Sequence, residues 1–65
     1  MDEVKDQVMQ MLAAAHPRWV REEDILDELG MYSMEDVLPA IDALIGEGRL
    51  NRQDKGNDKS YQLKK

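Results

Sequence analysis

Apolar residues recur at helical spacing in three stretches of this chain, and each stretch runs into a residue that stops a helix. Val4, Val8, Met11, Leu12 and Ala15 fall at i, i+4, i+7, i+8 and i+11, one face of a 3.6-residue period. Asp2, Glu3 and Asp6 lie in or near the first turn, where the helix dipole favours negative charge. His16-Pro17 closes this helix, because the residue before a proline is pushed out of the helical region. Trp19-Val20 then reads as a strand of two or three residues. A second helix is predicted from Glu22 to Glu28, with Ile25, Leu26 and Leu29 as its buried side and Gly30 as a left-handed cap. The third carries Val37, Ile41, Leu44 and Ile45 and stops at Gly48. Ser33 and Asp36 approximate a capping box at its start. Pro39 costs about 3 kcal/mol inside a helix, so a start at Met34 with a distorted first turn is expected.

The remaining chain reads as a hairpin. Arg49–Arg52 and Ser60–Leu63 alternate in part with period two, and the turn formers Asp54, Gly56, Asn57 and Asp58 lie between them. Leu50, Tyr61 and Leu63 are the residues expected to close the core. Charge divides at the same boundary. Residues 1–48 hold twelve acidic and three basic side chains, a formal charge of −9, whereas residues 49–65 hold two acidic and six basic ones, +4. An acidic body with a basic tail is an asymmetry that bears on partners.

Length and composition narrow the classes. Sixty-five residues make one domain, 1–65, near the lower limit for folding alone. With no cysteine there are no disulfides and no thiolate metal sites, and the single histidine, His16, builds no zinc site by itself. No cofactor or metal is expected. No apolar run approaches the ~20 residues that cross a bilayer, and the acidic start is unlike a secretory signal. A cytoplasmic chain without membrane contact is the expectation. Catalysis needs convergent groups in a cavity. Here there is no nucleophile with its base and no phosphate-binding glycine loop, since Gly46-Glu47-Gly48 ends a helix. The chain is read as a non-enzyme.

Helix, short strand, helix, helix, hairpin is an order that resembles the winged-helix superfamily. The spacing of the third helix resembles it too: an aliphatic residue, others four and seven further on, a glycine at eleven and an aliphatic at thirteen. Val37, Ile41, Leu44, Gly48 and Leu50 stand at those positions, and Tyr61-Gln62-Leu63 looks like the return strand of the wing. The resemblance runs from about Val4 to Leu63 and implies a fold that is mainly α with a small β-hairpin. It also implies a binding module, often one that reads DNA through the third helix. Major-groove reading needs Arg, Lys, Asn or Gln on that helix, yet Ser33–Gly48 offers none and presents Glu35, Asp36, Asp42 and Glu47.

Nucleic acid, in a transcription-regulator-like role, is the partner that the superfamily resemblance implies, with a protein partner as the alternative. A basic wing of Arg49, Arg52, Lys55, Lys59, Lys64 and Lys65 suits a backbone-led contact with nucleic acid. The acidic, apolar start of the third helix, with Tyr32, Met34, Glu35, Leu38 and Asp42, suits a protein partner. Met31 adds to the apolar excess there. Trp19 is expected in the core.

Overall fold

Val4, Val8 and Leu12 occupy one stripe of a helix and are all but sealed from solvent, so the first segment folds as its spacing requires. A computed structural model describes residues 2–64 and shows this segment as α1 (Asp2–Ala15). It is followed by β1 (Val20–Arg21), α2 (Glu22–Glu28), α3 (Met34–Gly46), β2 (Leu50–Lys55) and β3 (Asp58–Leu63). The element order is the expected one. The class is not mainly α with an appended hairpin, however, because β1 joins the hairpin to make a three-stranded antiparallel sheet in the order β1-β3-β2. Val20 pairs with Tyr61 and Arg21 with Ser60, which makes β3 the central strand.

Alternation along the strands gives the sheet two unlike faces. Val20, Leu50, Tyr61 and Leu63 face the helices, and all four belong to the core or pack against it. The opposite face carries Asn51, Gln53, Ser60 and Gln62; Asn51 Nδ2 donates to Gln62 Oε1 across the ladder at 3.1 Å. Against the inner face lie Ile25 and Leu29 of the α2 segment and Val37, Ala40, Ile41 and Leu44 of α3, all buried. Helix α1 packs chiefly along α3, whereas α2 is held mainly by β1 and β3. A helix of seven residues is marginal by itself. Burial of Ile25 and a hydrogen bond from Tyr61 Oη to Glu22 Oε1 at 2.9 Å hold it in place.

The end of α3 is a Schellman motif. Gly48 has φ 77°, its N–H donates to Ile45 O at 3.0 Å, and Arg49 N–H donates to Leu44 O at 2.9 Å. At the other end Ser33 Oγ donates to Asp36 Oδ2 at 3.1 Å, so the two side chains bond each other and not the backbone donors of a capping box. The helix passes through Pro39 without a break. The carbonyl that proline leaves without a donor is that of Glu35, and both residues are exposed.

Three other expectations are corrected. Gly30 is not left-handed, since among the described residues positive φ occurs only at Gly48 and Gly56; α2 ends instead on a tighter turn in which Tyr32 N–H donates to Leu29 O at 2.9 Å. Trp19 precedes β1 and is 42% exposed, so it is not a core residue. The loop expected over Asp54–Asp58 is only the two-residue turn Gly56-Asn57, with Lys55 opposite Asp58. Positive φ at Gly56 (61°) alone is the pattern of a type II′ turn, whose twist matches that of the flanking strands and lets the ladder run to the tip.

Opposite outcomes are expected for two nearby glycines. A Cβ on Gly46 or Gly48 meets nothing within 4 Å, so only backbone preference separates them. Gly46→Ala should stabilise by about 0.5–1 kcal/mol, and Gly48→Ala should destabilise by about 1–2 kcal/mol. Urea midpoints moving in the same direction would refute the left-handed cap. Tyr61 makes a pH prediction. Burial first, and then the Glu22 acceptor, raise its phenol well above the ordinary value. The neutral phenol therefore contributes stability in full below the unfolded value of about 10, and this is lost as pH rises toward the folded value. Melting temperatures between about pH 8 and 11 should fall more steeply for the wild type than for Tyr61→Phe.

Candidate functional site

Strand pairing brings the cations of the basic tail together with its only two acids. Arg52 grips Asp54 with two donors, Nε to Oδ1 at 3.1 Å and Nη2 to Oδ2 at 3.0 Å. This raises the guanidinium above its ordinary value and holds the Asp54 carboxyl below its own. Arg49 lies 3.5 Å from Glu47, which also pairs with Lys5. Lys55 stands opposite Asp58 and Lys59 opposite Asp54 in the ladder. Lys55, Lys59 and Lys64 are exposed and form no ion pair among the described residues. Lys65 lies outside the described residues. The basic cluster is therefore three lysines, with the two arginines already matched.

The start of α3 divides in two. Tyr32 and Leu38 pack against the core, while Met34, Glu35 and Asp42 are exposed. Burial and then the neighbouring Glu3 carboxylate push the Tyr32 phenol above its ordinary value, which ties this turn to the beginning of α1. Asp42 acts on both Arg52 and Tyr61, so the base of the hairpin meets a carboxylate of α3. Met31 and Met34 are the most exposed large apolar residues, at 75% and 58%.

A groove of about 420 Å³ opens beside Met31, lined by Gln7, Gln10, Met11 and Ala14 of α1 and by Glu28 and Leu29. It lies between α1, which packs chiefly along α3 and also meets β3, and the end of α2, which packs on β1 and β3. A second hollow, between Arg21, Glu22, Glu23, Asn57, Asp58 and Lys59, is about 110 Å³ and has no apolar side chain. Among the described residues no group of three His, Asp or Glu side chains converges to hold a metal ion, and no helix is long and apolar enough to cross a membrane.

Of the protein-interaction candidates singled out in the sequence, Met34, Glu35 and Asp42 are thus accessible. The groove was not foreseen. Its signal in the sequence is the second half of α1, where Gln7, Gln10, Ala13 and Ala14 leave the exposed face without charge. No protein-family model, curated protein or solved structure matches the chain, so its surface carries the functional argument.

Titrating carboxyl groups by NMR should find Asp54 below the usual aspartate range, and Arg52→Ala should restore it. A depressed carboxyl contributes above its unfolded value and loses that contribution as pH falls through the folded one. An unchanged Asp54 titration in Arg52→Ala would break the pairing argument.

Proposed function

We propose that this chain is a winged-helix binding module whose partner is a protein, engaged through the turn between α2 and α3 and the start of α3. The order helix, strand, helix, helix, hairpin supports the winged-helix reading, as does the spacing of Val37, Ile41, Leu44, Gly48 and Leu50. The observation that carries the partner class is the exposure of Met31 and Met34 between acidic neighbours. Two flexible apolar side chains are left in water, and the exposed charges next to them in sequence, Glu28, Glu35 and Asp36, are all negative. Apolar surface rimmed by charge is a feature of partner sites, and methionine adapts to irregular partner surfaces. The role is binding and not catalysis.

A second reading, contact with nucleic acid through the hairpin, is favoured by Lys55, Lys59 and Lys64 alone. Three neutralised phosphates give a salt slope of about −2.7, against the 6–10 contacts of a strong binder. With Asp42 beside the hairpin base and Asp54 and Asp58 along it, that contact is weak.

The two readings separate in one set of measurements. Duplex DNA titrated at low salt should leave the chain unbound, and a photo-crosslinking residue at Met34 should give protein adducts in expressing cells where one at Asn57 gives none. Salt-sensitive DNA binding that Lys55→Glu and Lys59→Glu abolish would overturn the protein reading.

A further inference from the structure

The geometry points to a cationic amphipathic helix of another protein as the occupant of the groove between α1 and the α2–α3 turn. This deepens the protein-binding reading and rests on it, because it names the seat and the chemistry of the partner.

Charge complementarity carries the argument. Along α1, Glu3 and Asp6 stand one turn before Gln7 and Gln10, and across the groove the one charged lining residue, Glu28, is exposed and negative. No cation lines the groove. Of the three cations outside the tail, Lys5 pairs with Glu47 and Arg21 with Glu23 and Asp24, and Arg18 follows the C-terminal end of α1. An anionic partner would be repelled from such a rim, and a lysine- or arginine-bearing one attracted. Between the rims the floor is apolar, formed by Met11, Leu29 and the exposed Met31, and Ala14 allows close approach. Gln7 and Gln10 add polar side chains that need no counter-charge.

The form of the occupant follows from the walls. One is the helix α1 and the other the last residue of α2 with the turn after it, so neither is a strand edge to which an extended peptide could add. An amphipathic helix needs only an apolar stripe for the floor and cations for the rims. The groove's lining on α1 runs from Gln7 to Ala14, about 11 Å of helix. That length accommodates about two turns of a partner helix. The chain's own cations are mostly in its hairpin and not on an amphipathic helix, so a second copy does not supply this occupant.

The test uses a synthetic leucine–lysine amphipathic helix of about 18 residues, ~27 Å when helical, with glutamate-bearing and uncharged counterparts. Each is titrated into the isotope-labelled chain and followed by amide chemical shifts. Only the cationic helix should bind, with shifts centred on Gln7, Gln10, Ala14, Glu28 and Met31. Its affinity should fall about tenfold in Glu28→Lys and again in Met31→Lys, and should not fall in Lys55→Glu. Glu28 and Met31 are exposed, so both variants should keep the wild-type fold, which the spectra themselves verify.

Equal binding of all three peptides in the groove would overturn the cationic partner while leaving a protein-binding module intact. Shifts centred on Met34, Leu38 and Asp42 would overturn the groove and again leave that module standing. Self-association that Glu28→Lys abolishes would make a second copy the occupant. Silence toward every peptide, with duplex DNA shifting the hairpin, would overturn the proposal and the protein-binding reading together.

Discussion

Tyr61 is where the two ends of the chain become one structure. Its strand pairs with β1 on one side and β2 on the other, and it is buried in an otherwise aliphatic core to which all three helical segments contribute. Its hydroxyl donates to Glu22, 39 residues earlier. The chain has no phenylalanine and only three aromatic residues; with Trp19 exposed and Tyr32 half-buried, Tyr61 is the one aromatic ring sealed in the core. A chain of this length has a stability of about 3–10 kcal/mol, and deleting a buried aromatic ring costs about 3–5 kcal/mol. The hairpin is thus no appendage to a helical body. It closes the core that the helices leave open.

From that closure comes the arrangement of charge. The hairpin that buries Leu50 and Tyr61 projects its outer half into solvent, where Lys59 stands opposite Asp54, Lys55 opposite Asp58, and Arg52 pairs with Asp54 along its own strand. Exposed pairs of this kind contribute only about 0–1 kcal/mol each, so they do not hold the fold. Their effect is on what the surface attracts, because a matched arginine has little left to offer a phosphate. The acidic helices keep their field, and the apolar side chains they leave in water lie within it.

The groove has a similar origin in packing. Helix α2 is short and packs on β1 and β3, α1 is long and packs chiefly along α3, and the groove lies between α1 and the end of α2. Met31 stays in the gap at the turn. Its exposure follows from the connection between α2 and α3 and not from any shortage of core.

Local spacing and stop signals made much of this legible. The stripe of Val4, Val8 and Leu12, the bounds of α2, the start at Met34 and the cap at Gly48 all depend on interactions within a few residues, and such interactions are written in neighbouring letters. Gly30 was misjudged: a glycine after a helix favours a left-handed cap, but α2 ends on a turn closed by Tyr32 N–H on Leu29 O. The extent of β2 and β3, the recruitment of β1, the position of Trp19 and the matching of Arg52 with Asp54 depend on which strand lies beside which. Pattern alone established three amphipathic helices, a turn-centred ribbon and a division of charge, since periodicity and composition need no partner to be read. Which cations remain free, which methionines stay wet and where a groove opens were decided by long-range contacts, because exposure is a property of the neighbours that tertiary packing supplies.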